Sequence, residues 1–304
     1  MNSIAIYFVS GDSLYPGAVL LLIGELSPSS NKRWLYVMRS AAAWLGLALM
    51  VMACPPFPWA IDAIFLAAYG ILVTRPSNKS VRSAATIVLV VLTVALSASE
   101  LHHRGMGTLT APRSDHLVVL GDSISAGMYT GAPAWPSVFE RNTGLRVKNL
   151  SQPGARVSDG IAMAKKLAPE DRVVLIELGG NDLLSGVRTS EFARNLDSLL
   201  AKIAARNRVV AMFELPLLPH VIGYGRVQRL LAEKYGVVLI PKHYFAEILG
   251  GANATTDGLH LSSAGAQQMA ALVAKLLSPV IVRPQGASTT SQSTLSVAPF
   301  GRGL

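Results

Sequence analysis

The sequence predicts an α/β fold with a parallel sheet, preceded by a region of apolar helices. Before about residue 101 the chain consists mainly of long apolar runs. After about residue 113, short apolar runs alternate with amphipathic stretches, and polar motifs directly follow several of the short runs. With 51% hydrophobic and 15% charged residues, the composition fits a mixture of these two kinds of region.

The domain boundaries follow from these shifts in composition. We predict a transmembrane region over residues 1–110, an α/β domain over residues 113–278 and a disordered tail over residues 279–304. The tail is rich in Ser, Thr, Pro and Gly, a composition that buries too little apolar surface to fold.

Five short apolar runs predict the strands of the sheet, at residues 117–120, 146–150, 173–178, 209–213 and 237–240. Continuous apolar runs of this length are typical of buried parallel strands. Helical patterns separate them, most clearly at residues 191–205 and 264–277. Alternation of strands and helices predicts a parallel sheet covered on both faces, whose ligands bind outside the carboxyl ends of the strands.

Four apolar stretches precede the α/β domain, at residues 4–24, 35–53, 59–74 and 84–99. A membrane-spanning helix needs about 20 residues, and about 17 are tolerated. The third stretch is short and carries Asp62, and the first contains Asp12. We therefore predict four spans, with three as the alternative. No cation precedes the first stretch, so we expect a retained segment rather than a signal peptide.

The placement of cations predicts the orientation in the membrane. Basic residues flank the gap between the first two stretches and the gap between the last two; they are Lys32, Arg33, Arg39, Arg75, Lys79 and Arg82. The turn at residues 54–58 carries no charge. Because cations favour the cytoplasmic side, we expect a multi-pass protein of the cytoplasmic (inner) membrane whose α/β domain lies on the extracytoplasmic, periplasmic side.

The same placement of cations argues against nucleic acid as a partner. The net charge is +9, but several cations lie in short loops between apolar runs, where membrane orientation explains them better. The sequence has no zinc-ligand cluster and no cofactor motif, so we expect neither a metal nor an organic cofactor. Cys54 is the one cysteine, so no intramolecular disulfide can form.

Three loops after predicted strands carry residue types that acyl-transfer chemistry uses. Ser123 lies at a strand-to-helix turn, which presents its hydroxyl and its backbone N–H at the sheet edge. Gly154 follows the second strand and lets the backbone approach a ligand. Asn181 follows the third strand and can donate to developing negative charge without titrating. Taken singly, each loop is also explained by a helix cap or an ordinary turn.

A late loop supplies a candidate base. Asp257 precedes His260 by three residues, so its carboxylate could accept from the ring Nδ1–H and leave Nε2 to face the serine. A lone Asp-x-x-His pair is more often a surface or capping pair. Together, however, the four loops supply a nucleophile, oxyanion donors, a base and its orienter, which is the full set that an acyl-transfer site needs.

These four blocks resemble those of the SGNH (GDSL-like) hydrolase superfamily over about residues 116–278. The segments VVLGDSISAG, AWPSVFE, VVLIELGGNDLL and DGLHLSSAGAQQMA are similar to the bacterial thioesterase I, lysophospholipase and arylesterase branch. The resemblance implies a flavodoxin-like three-layer α/β/α sandwich. It also implies that Ser123 is the nucleophile and that His260, oriented by Asp257, is the base. The oxyanion hole would comprise the N–H groups of Ser123 and Gly154 and the amide of Asn181.

The substrate is predicted less directly. Leu183, Leu217 and Leu218 lie in loops expected at the active-site edge and could form an apolar wall for an acyl chain, with ordinary packing as the alternative. A second literal Gly-Asp-Ser-Leu, at residues 11–14, lies inside the first apolar stretch without the other blocks, and we interpret it as chance.

The leading hypothesis is a membrane-anchored serine esterase that cleaves carboxylic esters or thioesters through an acyl-serine. Its expected partners are membrane lipid and an acyl ester, lipid or acylated glycan substrate. One alternative is an O-acetyltransferase or O-acetylesterase that acts on envelope glycans. Another is a non-enzymatic membrane assembly or transport module with a degenerate domain.

Overall fold

The computed structural model describes residues 3–27, 32–53, 55–74, 76–109, 114–127, 131–204 and 208–282. Within these ranges, the residues up to 103 form a helical region of five helices: α1 (Ser3–Val9), α2 (Leu14–Leu26), α3 (Arg33–Met52), α4 (Trp59–Thr74) and α5 (Lys79–His103). By length and composition, α3 and α5 are able to cross a membrane. The pair α1 and α2 adds a third candidate if it is counted as one span, whereas α4 is a shorter apolar helix.

The first predicted span is not one straight helix. The chain bends by 76° between α1 and α2. Gly11 lies in this break with φ +86°, a left-handed conformation that interrupts a helix and that glycine adopts without strain. Ser13, in the chance Gly-Asp-Ser-Leu motif, is fully buried and donates to the carbonyl oxygen of Leu49 at 2.9 Å.

Small residues allow α2 and α3 to pack closely. A Cβ added to Gly46 would lie 2.4 Å from the backbone nitrogen of Leu21, and one added to Gly17 would lie 2.8 Å from the carbonyl oxygen of Gly46. Backbones approach this closely only where side chains are absent, as in helix pairs of membrane proteins. The outer faces of the helices expose large apolar side chains, among them Val19, Trp44, Ile87 and Val91.

The α/β domain is a parallel five-stranded sheet with strand order 2-1-3-4-5. The strands are β1 (His116–Gly121), β2 (Arg146–Asn149), β3 (Val173–Glu177), β4 (Val209–Phe213) and β5 (Val238–Ile240), each within one residue of its predicted bounds. One face packs on α7 (Trp135–Thr143), α12 (Lys242–Gly250) and α13 (Ser263–Leu277). The other packs on α8 (Val157–Ala164), α10 (Thr189–Ile203) and α11 (Gly223–Tyr235). The predicted α/β/α sandwich is therefore confirmed.

The α/β domain extends past its predicted end. Val280 is fully buried in the core, and Ile281 forms a parallel bridge with Ser114. Residues 279–282 therefore pack with the α/β domain. The average composition of the tail is polar, and it does not register the three apolar side chains of Val280, Ile281 and Val282. The rest of the predicted tail, residues 283–304, lies outside the described residues.

Buried charges join the two parts of the chain. Arg229 on α11 donates to both carboxylate oxygens of Glu100 on α5 at 2.7 and 2.9 Å, and to Glu214 after β4 at 2.7 Å. Lys242 donates to the carbonyl oxygen of Ala53 at 3.0 Å, and its Nζ lies 3.9 Å from Glu100. We call Glu100, Glu214, Arg229 and Lys242 the junction cluster. The helix α1 also packs on α12, where Ile6 occupies the space above Gly250.

Candidate active site

The end of β1 fixes the position of Ser123. Gly121 ends the strand, and a Cβ there would lie 2.6 Å from the Cβ of Ser125, so only glycine fits. Asp122 then caps the short helix α6 (Ser123–Ala126), because its Oδ1 accepts from the N–H of Ile124 at 2.9 Å. Ser123 is the first residue of that helix, at the carboxyl edge of the sheet where sites of parallel folds form.

The loop before α13 brings His260 to Ser123. The Nε2 of His260 lies 3.2 Å from the Oγ of Ser123, and its Nδ1 lies 2.6 Å from the Oδ2 of Asp257. The other carboxylate oxygen of Asp257 accepts from the backbone N–H groups of Leu259 and His260 at 3.0 and 2.8 Å. These hydrogen bonds, first that of the His260 ring and then those of the backbone, hold the pKa of Asp257 well below its usual range. Asp257 is therefore ionised at neutral pH and can orient the ring.

The loop after β2 carries Gly154. It is tied to the end of β1, because the N–H of Gln152 donates to the carbonyl oxygen of Gly121 at 3.1 Å. Gly154 has φ +76°, and no atom lies within 4 Å of the position that a Cβ would occupy. Within the residues that the structure describes, the backbone N–H groups of Ser123 and Gly154 donate to no protein acceptor. Both groups are therefore available to a ligand.

Asn181 connects the loops around the nucleophile. It lies in the short helix α9 (Gly180–Leu184) after β3. Its Nδ2 donates to the Oδ2 of Asp122 at 2.9 Å and to the carbonyl oxygen of Ala155 at 3.1 Å. The amide thus orders the Ser123 and Gly154 loops, and donation to an oxyanion requires that one of these two bonds be shared.

The three leucines predicted to contact substrate differ in their surroundings. Leu217 is buried in the core beneath the loop, and Leu183 is half-buried against the same cluster. Leu218 is 44% exposed. Leu217 therefore matches the packing alternative, and Leu218 is the most exposed of the three.

Sequence reasoning missed Glu177, which is buried at the end of β3 directly behind the nucleophile. Its Oε2 accepts from the Oγ of Ser125 at 2.9 Å and from the N–H of Asp122 at 3.3 Å, and Trp135 donates to the same Ser125 Oγ at 3.0 Å. Burial, and then the adjacent Asp122 carboxylate, raises the pKa of Glu177. Burial also raises the pKa of Asp122. Two buried carboxyl groups in contact retain a proton to higher pH than a single exposed carboxyl group does.

Comparison with known proteins identifies the family. The model of the GDSL-like lipase/acylhydrolase family matches residues 119–268. The arylesterase of Vibrio mimicus is 31% identical over 163 residues, which is 48% of this chain and 80% of that protein. The chain belongs to the GDSL-like lipase/acylhydrolase family. As a member of that family it is an ester-hydrolysing enzyme, which confirms the predicted class over the non-enzymatic alternative.

Two further proteins are similar to part of the chain. The Escherichia coli protein thioesterase 1/protease 1/lysophospholipase L1 is 29% identical over 187 residues, covering 57% of this chain and 88% of its own. The crystal structure of TesA is 30% identical, covers 54% of this chain and 99% of its own, and has a TM-score of 0.47. The family match begins at residue 119, so the helical region lies outside it.

Proposed function

We propose that this GDSL-like hydrolase is a membrane-anchored serine esterase that cleaves carboxylic esters or thioesters through an acyl-serine. The observation that carries the proposal is the hydrogen-bonded series of Ser123, His260 and Asp257. The Oγ of Ser123 lies 3.2 Å from His260, whose other ring nitrogen lies 2.6 Å from an ionised Asp257. This is the arrangement of nucleophile, base and orienter that activates a serine.

The reaction follows from this arrangement. His260 accepts the hydroxyl proton as Ser123 Oγ bonds to the acyl carbon. The N–H groups of Ser123 and Gly154, with the amide of Asn181, donate to the oxyanion of the tetrahedral intermediate. The intermediate then breaks its bond to the alcohol or thiol, which leaves with the proton from His260. Water, deprotonated by His260, attacks the acyl-serine, and the acid departs as Ser123 regains its proton.

The arrangement of the helices supports the membrane anchor. Residues at one end of α2 to α5 (Gly24, Arg39, Val73 and Arg82) line a common cavity, and residues at the other end (Met50, Asp62 and Leu96) line another. At that second end, the Oγ of Ser13 before α2 also donates to the carbonyl oxygen of Leu49 on α3. The four helices therefore run between the same two ends. At about 1.5 Å per residue, α2 and α4 are shorter than a hydrocarbon core of about 30 Å. Local thinning of the bilayer accommodates such helices at a modest cost.

The charges support the orientation. The end near Arg39 and Arg82 is basic and favours the cytoplasm, whereas the α/β domain packs on the opposite end, at Ala53 and Glu100. Cys54 directly follows Ala53 in the sequence and is the one cysteine of the chain. In intact cells, a membrane-impermeant maleimide should label Cys54, and should fail to label Ser77→Cys in a Cys54→Ser background. The reverse pattern would put the α/β domain in the cytoplasm.

The orientation of the sheet supports action close to the membrane surface. Glu214 and Lys242 follow the carboxyl ends of β4 and β5, and both belong to the junction cluster that contacts the helices. Ser123 follows the carboxyl end of β1, two strands away from β4, which corresponds to about 10 Å at the usual strand spacing. We therefore expect the serine to open beside the face that meets the helical region.

The test is labelling of the membrane fraction with a fluorophosphonate probe. Wild type and Ser13→Ala, which changes the serine of the chance motif, should label equally, and Ser123→Ala should not label. Labelling of Ser123→Ala at the wild-type level would remove Ser123 as nucleophile. Incubation of wild type with an ester and a glycan acceptor then separates hydrolysis from acyl transfer, because only transfer yields an acylated glycan.

A further inference from the structure

An apolar groove lies between the helical region and the α/β domain. It encloses about 210 Å³, and its walls are mainly the apolar side chains of Met50, Val51, Phe65, Leu66, Leu96 and Ile222. Asp62 and Arg226 are its only charged lining residues in the part of the chain that the structure describes, and they pair with each other. Arg226 also donates to the carbonyl oxygen of Phe57. The groove is thus apolar along its length and charged at one place.

The groove shares a wall with the active-site edge. The loop after β4 supplies Pro219 and Ile222 to the groove. At its other end, Leu215 packs on Gly179, where an added Cβ would lie 3.0 Å from the Leu215 Cδ1. Gly179 is the N-cap of the helix that carries Asn181. One loop therefore touches both the groove and Gly179, which lies two residues before the candidate oxyanion donor Asn181.

Size and surroundings limit what the groove can hold. Pockets that enclose a drug-sized ligand measure about 300–1,000 Å³, so this groove has room for one narrow apolar segment only. Val51 and Leu66 line it and are 47% and 51% exposed, which continues the exposed apolar faces of α3 and α4 into the groove. In a membrane these faces contact lipid, so an acyl chain reaches the groove sideways without crossing water. The charged Arg226–Asp62 pair can interact with the polar headgroup of a lipid at the bilayer surface.

We propose that the groove binds one acyl chain of a glycerophospholipid from the outer leaflet, with the headgroup beside Arg226 and Asp62. The inference rests on the membrane anchoring in the proposed function. It does not depend on which ester Ser123 cleaves. Chain burial is stabilised by the apolar area removed from water when the lipid rather than solvent fills the groove.

The experiment uses the full chain in phosphatidylcholine vesicles that contain a trace of phosphatidylcholine with a diazirine near the carboxyl end of one acyl chain, the part that lies beside the headgroup. After irradiation, mass spectrometry of peptides should find the groove segments 50–66 and 219–226 labelled more heavily than the exposed segment 87–94 of α5. Val51→Trp and Leu66→Trp are designed to obstruct the mouth of the groove. Both positions are about half exposed, so a larger side chain fits there without a clash in the core. We expect labelling of the segment 219–226 to fall about tenfold in each variant, because the chain loses its apolar contacts.

A matched control is Val91→Trp, at an exposed apolar position on α5 away from the groove. It should leave groove labelling at the wild-type level, and thermal unfolding should show that all three variants are folded. Equal labelling of the groove and the α5 segment, or unchanged labelling of 219–226 in both folded groove variants, would overturn the inference. Failure of the chain to float with the vesicles would instead contradict the proposed membrane anchor, so the two failures are distinguishable.

Discussion

Replacing Arg229 by alanine tests how firmly the helical region holds the α/β domain. The arginine makes three charge-assisted hydrogen bonds of 2.7 to 2.9 Å, of which the two to Glu100 cross the junction and the one to Glu214 lies within the α/β domain. The side chains of Arg229, Glu100 and Glu214 are only 10%, 5% and 3% exposed. Burial alone would lower the pKa of Arg229, but the hydrogen bonds and charges of the two glutamates raise it, so the guanidinium stays charged. The variant leaves two buried carboxylates without this partner.

The expected loss of unfolding free energy follows from what happens when only one partner of a buried ion pair is removed. Removing one partner of such a pair costs about 3–5 kcal/mol, because the remaining charge stays buried without compensation. Lys242 is close enough to offset part of this cost, since its Nζ lies 3.9 Å from Glu100. Domains are stable by only about 5–15 kcal/mol in total, so the loss is a large fraction. At about 2–4 °C per kcal/mol for a domain of this size, the midpoint of thermal unfolding should fall by about 6–20 °C.

The assay is thermal unfolding of the full chain in lipid nanodiscs, at one scan rate for all variants because unfolding of such proteins is often irreversible. The control is Arg146→Ala. Arg146 pairs with Asp115 at 2.7 Å, but it is 75% exposed, so the loss should be within about 1 kcal/mol. If Arg229→Ala unfolds at the same temperature as Arg146→Ala, the junction cluster does not hold the two parts together.

Three further predictions concern the site and the helices. Asp257→Asn should lower kcat by about 10³–10⁴-fold, because an amide does not stabilise the imidazolium that His260 becomes. Glu177 has a raised pKa, so the folded state keeps a proton that the unfolded chain loses above about pH 4.5. Stability should therefore fall as pH rises from that value towards the folded pKa, and Glu177→Gln should flatten the fall in urea midpoints. Gly46→Ala should destabilise the chain by about 1–3 kcal/mol, because its Cβ would meet the Leu21 backbone. Gly70→Ala, with no neighbour within 4 Å, should be neutral or stabilising in nanodisc unfolding.

Each of these predictions has a result that contradicts it. A wild-type kcat in Asp257→Asn would remove the carboxylate from the mechanism. An unchanged pH dependence in Glu177→Gln would mean that Glu177 does not hold the extra proton. Equal effects of alanine at Gly46 and Gly70 would show that α2 and α3 do not pack through the close contact at Gly46.

The strands and the meeting of Ser123 with His260 and Asp257 could be predicted from sequence, and for a physical reason. Buried parallel strands are short continuous apolar runs, and their carboxyl ends meet at one edge of the sheet. A polar motif that directly follows such a run is thereby assigned to that edge. The roles of these residues in catalysis stay predictions until the serine is labelled or replaced.

Other features depend on information that local patterns do not contain. Hydropathy does not depend on backbone conformation, so the prediction of one apolar stretch over residues 4–24 did not include the break at the left-handed Gly11. Glu177 ends an apolar strand, and its significance comes from Asp122 and Ser125, more than 50 residues away. The contact between Glu100 and Arg229 joins residues 129 positions apart. Such contacts form only when the fold brings distant residues together, so the sequence around either residue does not predict them.

The contacts that α1 and α5 make with the α/β domain limit how that domain could be separated from the helical region. Cutting the chain after residue 109 would uncover the hollow above Gly250 that Ile6 fills. It would also take Glu100 away from Arg229 and Ala53 away from Lys242. The released domain would carry newly exposed charges and an apolar hollow, and exposed apolar surface favours self-association. Conversion to a free enzyme therefore requires that these surfaces be rebuilt as well as that the helices be removed.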